Sequence, residues 1–171
     1  MIEPIDESQQ RTVLEHTERY IVRAESLLDY QFDRIPVLFD LRGTSAGMFR
    51  SDGKQREIRY NPWIFAKYFD ENLTGTVPHE VAHYVVHELY GRRRVKPHGR
   101  EWLSVMHAFE ADPQVTFKLD LTGIPQRRQR THRYHCDCRI HEVSATRHNR
   151  VLKGTGSYLC RYCASPLVFT G

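Results

Sequence analysis

VPHEVAHYVVHELYG, residues 77–91, decides the reading of this chain. His79 and His83 stand four positions apart; residues so spaced share one face of a helix, so both imidazoles can reach a single metal ion. Glu80 stands one step from His79, beside that metal, where its carboxylate can take a proton from water. Zinc lowers the pKa of bound water towards neutrality, so hydroxide can attack a carbonyl at ordinary pH. Val81 and Ala82 are apolar and small, and Tyr84, Val85, Val86 and Leu89 continue the apolar pattern of a helix packed on a core. Pro78 fits the first turn, where no amide donor is missed, and Gly91 stops the helix after Tyr90. The ordinary alternative, two buried histidines satisfied by their neighbours, is weakened by that helical setting.

A catalytic zinc usually takes three protein ligands and leaves a fourth position open. The candidates for the third are His87, His98, Glu101 and His107. The metzincin extension is absent, because Val86 and Leu89 stand where it would put Gly and His. His87 has drifted round the helix, away from the metal direction. His98 lies in PHGREW (97–102), at the start of the next predicted helix, and a ligand there can swing back over the motif helix. Glu101, one turn on, would make a two-His, one-Glu site instead. The geometry favours His98 but leaves both open. Tyr84 points away from both ligands, so no oxyanion-stabilising residue is named.

Around this motif the pattern is α+β. A first helix is predicted over Asp6–Asp29, with Asp6 and Gln9 as a capping box. Three short strands follow at Pro36–Leu41, Ala46–Arg50 and Glu57–Asn61, with SDG (51–53) as a hairpin turn. Their close succession leaves no room for crossovers and implies a small antiparallel sheet. Asn61-Pro62 reads as an N-cap with Pro at the first helical position. ENLTGTV supplies a break before the motif helix, and a further helix is expected over Gly99–Glu110. Helical periodicity stops near Gly123, so the division is set at residues 1–123 and 124–171.

The four cysteines, Cys136, Cys138, Cys160 and Cys163, all lie in the second part. In a cytosolic chain such a cluster reads as thiolate ligands of one structural zinc rather than as disulfides. The C-x-C half is tight, so His135 or His141 could replace one sulfur. Cytoplasmic placement is itself an expectation: no apolar run approaches the ~20 residues of a membrane span, and the acidic N-terminus does not read as a secretory signal.

The 171 residues carry a net charge of +4, unevenly spread. Residues 124–163 hold nine Lys/Arg against two acids, which suggests a polyanionic partner such as DNA or another nucleic acid, although a solvated charged face is the plainer explanation. The candidate contacts are Arg127, Arg128, Arg130, Arg133, Arg147, Arg150 and Lys153, with Arg139 nearby and Tyr134, Tyr158 and Tyr162 interleaved. Basic groups near aromatics suit phosphate contacts and base stacking, yet each tyrosine is as readily explained by packing.

LRGTSAG (41–47), EIRYNP (57–62), VPHEVAH (77–83), PHGREW (97–102), the C-D-C pair, RHNRV (147–151), YLC (158–160) and the final C-x-x-C together resemble the SprT-like zinc metallopeptidase family. The metal motif is similar to that of Spartan, a eukaryotic protease that degrades proteins crosslinked to DNA. The likeness lapses over residues 110–130. It implies a zincin-like core in which His79, His83 and His98 hold a catalytic zinc, with Glu80 as acid and base. It also implies a C-terminal zinc ribbon closed by Cys136, Cys138, Cys160 and Cys163.

Two functions of different class follow. One is a zinc-dependent endopeptidase acting on proteins at or near nucleic acid. The other is a non-catalytic, transcription-related nucleic-acid-binding protein whose zinc sites are structural. A zinc hydrolase of small amides is a third, weaker reading.

Overall fold

The computed structural model describes residues 2–91, 95–114, 119–126 and 130–171. The chain divides into two units, Met1–Gln126 and Arg127–Gly171. Among the described residues no helix is long and apolar enough to cross a membrane.

The first unit begins with α1 (Glu7–Leu28), capped by Asp6, whose side chain accepts from the Gln9 amide while Gln9 reaches back to the Asp6 amide. Val13, Thr17, Ile21 and Ala24 form its buried stripe, and α1 packs against the motif helix α4 (Val77–Tyr90). Three strands follow: β1 (Val37–Leu38), β2 (Gly47–Ser51) and β3 (Arg56–Tyr60). The sheet is mixed, which corrects the antiparallel expectation. β2 and β3 form an antiparallel hairpin, but β1 pairs parallel to β3, in the order β1-β3-β2. Residues 39–46 carry the chain past β3 to its far side, tied by Leu41 N–H to Tyr60 O (3.2 Å) and Asn61 N–H to Ala46 O (2.8 Å). An eight-residue loop is enough because β1 ends and β2 begins at the same end of β3, Leu38 beside Arg59 and Gly47 beside Tyr60.

Asn61 is fully buried and does three jobs. Its Oδ1 accepts from the amides of Trp63 and Ile64, capping α2 (Pro62–Lys67), and its Nδ2 donates to Gly43 O at 3.2 Å. Its backbone amide makes the tie to Ala46 just described.

The expected break over 71–77 is not a break. A short α3 (Phe69–Glu71) runs into a widened π turn (Asn72–Thr76) and on into α4. Such a turn loosens the backbone ladder, and side chains take up what it frees. Asn72 Nδ2 donates to Tyr68 O (2.5 Å) and Ile64 O (3.4 Å), while the Thr76 hydroxyl donates to Asn72 Oδ1 (2.6 Å). Polar residues that read as loop formers thus complete the helix. The last helix of the unit, α5 (Arg100–Ala108), packs on α4.

In the second unit, β4 (Thr131–His135) and β5 (Ile140–Ser144) form a hairpin across the Cys136–Arg139 turn, and β6 (Val168–Phe169) pairs antiparallel with β4. Between the cysteine pairs lies a helix, α6 (Ala145–Leu152), beyond the point near Gly123 where helical periodicity was read as stopping. Its His148 is buried, stacks on the His132 ring at 3.6 Å and accepts or donates a hydrogen bond with Tyr134 Oη at 3.0 Å. Those few contacts set the helix, so hydrophobic periodicity had little to report.

Candidate metal centres

The pitch of α4 brings His79 and His83 to one face, and the turn before α5 returns His98 to the same spot. The three Nε2 atoms form a triangle with edges of 3.1 Å (His79–His83), 3.0 Å (His83–His98) and 3.0 Å (His79–His98). Each Nε2 carries either a proton or a lone pair. Around a triangle, at least one edge must then oppose two protons or two lone pairs, a conflict a cation removes. Zinc–nitrogen bonds of ~2.0–2.1 Å at tetrahedral angles put such nitrogens about 3.3 Å apart, close to what is found. The donor set fits zinc.

Burial, reinforced by the His98 charge, pushes His79 down to about 4; burial, then the charges of His79 and His98, pushes His83 down to about 3. Burial also lowers His98. All three are neutral at pH 7, the form that binds metal. The Gln114 backbone acts in the opposite sense to burial on His79, raising it slightly. Trp102 is buried beneath the cluster, its ring 4.7–5.7 Å from all three imidazoles, and its indole N–H donates to His79 O at 3.3 Å. His98 adopts a left-handed backbone, φ 56°, so the ring position is bought with local strain.

Glu101 lies outside the cluster and pairs with Arg100 at 3.0 Å. His107 is exposed, and His87 packs by its ring 5.4 Å from Phe49. Tyr84 is buried and donates to Asp33 O at 2.7 Å, so its hydroxyl is engaged away from the cluster.

Glu80 is only 6% exposed and takes no part in the triangle. Its Oε2 accepts from the Phe49 amide of β2 at 2.7 Å. Burial raises its pKa to about 7, against the lowering effect of that amide. Gly47 lets β2 come this close: a Cβ there would lie 2.7 Å from Glu80 Cγ and 2.7 Å from Thr76 Cγ2. Gly47→Val is therefore expected to destabilise the unit by about 1–3 kcal/mol through overpacking, read as a lower urea midpoint. An unchanged midpoint would show that β2 can retreat at no cost. A glycine inside a strand is a known mark of close backbone approach, and this signal in LRGTSAG was available in the sequence. The role of Phe49 N–H was not, because it belongs to no motif, and although Trp102 closes PHGREW, no spacing rule tells that its ring packs beneath the histidines.

In the second unit the Sγ atoms of Cys136, Cys138, Cys160 and Cys163 lie within 4.8 Å of one another and form no disulfide. Cys136–Cys138 is 3.5 Å and Cys138–Cys160 is 3.7 Å. Zinc–sulfur bonds of ~2.3 Å place tetrahedral sulfurs about 3.8 Å apart, so this set also fits. Backbone amides pull two thiols down: that of Cys163 towards Cys160, and that of Ser165 towards Cys163, which falls to about 6. Cys138, sharing its proton first with Cys136, is pushed up to about 12. His141 is not a fifth member; its Nε2 lies 3.1 Å from Cys136 Sγ, placed to support that sulfur. His135 is exposed.

Arg130, Arg133, Arg147, Arg150 and Lys153 are all exposed, with Arg133 3.5 Å from Glu142. Arg127 and Arg128 lie outside the described residues. Tyr134 is buried and packs against Phe169, whereas Tyr162 is 74% exposed with the Arg139 guanidinium 3.7 Å above its ring.

A sequence model of the SprT-like family matches residues 11–135. A protein named SprT from Vibrio atlanticus is 36% identical over 136 residues, covering 79% of this chain and 78% of that protein. One of the same name from Salmonella newport is 34% identical over 160 residues, covering 93% of each.

Proposed function

The chain belongs to the SprT-like family, and from that premise we propose that it is a zinc-dependent endopeptidase with a zincin-like core and a C-terminal zinc ribbon, acting on proteins at or near nucleic acid. The observation that carries this reading is the burial of Glu80. A carboxylate is costly to bury, and a purely structural three-histidine site has no use for one beside it. An exposed glutamate would have argued nothing.

His79, His83 and His98 would hold a zinc ion, which would supply Lewis-acid polarisation of a peptide carbonyl, acidify water and favour the ionised form of Glu80. The protein's own part is proton transfer and positioning. Glu80, aimed by the Phe49 amide, accepts a proton from the attacking water and returns it to the departing amine. Trp102, packed against all three rings, holds the imidazoles in place. The ribbon contributes exposed Arg130, Arg133, Arg147, Arg150 and Lys153 as phosphate contacts.

These exposed cations also favour a second reading, a nucleic-acid-binding protein without catalysis. The two separate in one experiment: zinc per chain, and cleavage of an unfolded protein with and without DNA, for wild type and His98→Ala. Two zinc ions falling to one, with cleavage lost, is the expected result. One zinc in both proteins, with salt-sensitive DNA binding and no cleavage, would put the binding protein first.

A further inference from the structure

Beside Glu80 opens a cavity of about 200 Å³, whose lining includes His79, Glu80, Ala46, Ile64, Leu119 and Leu121. Its size suits a single side chain; sites for whole small molecules run to ~300–1,000 Å³. The two leucines come from a strap, residues 119–124, that is pinned independently of the histidine cluster. Lys67 of α2 spends all three ammonium protons on it, donating to Asp120 O (2.7 Å), Asp120 Oδ2 (2.8 Å) and Thr122 O (2.9 Å). The Tyr68 hydroxyl donates to Asp120 O at 2.9 Å, and Ile124 is buried. Asp120 thus turns to α2 while its neighbours Leu119 and Leu121 line the cavity.

We propose that this cavity is a subsite for one aliphatic side chain of the substrate, of leucine or isoleucine size, and that Lys67 is a positioning residue that sets its wall. The assignment rests on the peptidase reading above. Ala46, Ile64, Leu119 and Leu121 offer apolar contact beside the hydroxyl residues Thr44, Ser45 and Thr76, of which Thr76 donates its proton to Asn72, and Glu80 is the one carboxylate among the described lining residues. An acidic side chain would lie against that buried carboxylate. A basic one would have to give up the hydration of its ammonium against an apolar wall, where the carboxylate already accepts from the Phe49 amide. Lys67 cannot neutralise an acidic side chain, since its charge is committed to Asp120.

The test uses the zinc-loaded full chain with methyl-labelled Ile and Leu, titrated with the N-acetyl amides of leucine, alanine, glutamate and lysine. Saturable shifts at Ile64, Leu119 and Leu121 are expected with the leucine amide, and about tenfold weaker binding with the other three. Lys67→Met should weaken leucine-amide binding by about tenfold with zinc content unchanged, and Lys67→Arg should restore most of it. Shifts elsewhere, or equal binding of the glutamate or lysine amide, would overturn the subsite; unchanged affinity in Lys67→Met would overturn the pin. A parallel digest of an unfolded protein separates the two readings. Cleavage without preference for an aliphatic residue next to the cut keeps the peptidase and removes the subsite. No cleavage at all removes the peptidase, and the methyl shifts alone then decide whether the cavity binds aliphatic groups.

Discussion

Replacing Glu80 by Gln leaves zinc in both clusters and lowers protein cleavage by about 10²–10⁴-fold, the usual worth of a positioned proton acceptor. The substitution is nearly isosteric, and the amide oxygen can still accept from Phe49 N–H, so β2 keeps its place against α4. The three imidazoles are untouched, which is why metal content should not move. What is lost is the capacity to take a proton near neutral pH. Measuring zinc and initial cleavage rate on the same preparation checks both halves. Cleavage within a few-fold of wild type, with zinc retained, would remove Glu80 from the chemistry and leave its burial unexplained.

Cys160→Ser is expected to unfold most of residues 130–171 while leaving the first unit intact. The reason lies in what is buried. Among the described residues of the second unit, the buried apolar set is Tyr134, Cys136, Val143 and Cys160, and two of those are themselves candidate ligands. A module this small rarely folds on such a core alone, and a structural zinc site is worth about 10–16 kcal/mol of binding free energy. Amide spectra should show the β4–β5 hairpin signals collapse to random-coil positions, with those of α1 and α4 unmoved. Zinc per chain should fall by one. A second unit that stays folded with one thiolate gone and zinc released would show that the Tyr134–His148–Phe169 packing suffices without metal.

The α4 pairing of His79 with His83 was legible because helical pitch converts spacing directly into direction. α1 and the Asn61 cap were legible for similar local reasons: a carboxylate or amide three residues or fewer from the amides it caps needs no knowledge of the rest of the chain. The failures were also physical. β1 gains its partner from a strand some twenty residues on, and two residues carry no alternation to read. ENLTGTV has the composition of a loop, yet Asn72 and Thr76 spend their polar groups on the helix ladder. α6 is fixed by a histidine stack, which hydrophobic periodicity does not count. At the histidine cluster, position 98 could be argued only from a turn and a likeness. The burial of Glu80 depends on Gly47 and Phe49, more than thirty residues away, which nothing local announces.

The left-handed backbone at His98 has a meaning in time as well as in space. A growing chain is released from its N-terminus, so α4 is complete while the residues that finish the centre are still being made. Two imidazoles on one helix are an incomplete claim on a metal ion. The third nitrogen arrives only when the turn before α5 adopts a conformation that an isolated peptide disfavours, and packing of Trp102 is what can hold it there. The three-histidine centre would therefore be assembled late, after its own surroundings have folded, and an unfinished chain would carry the Glu80 carboxylate beside an incomplete set of ligands.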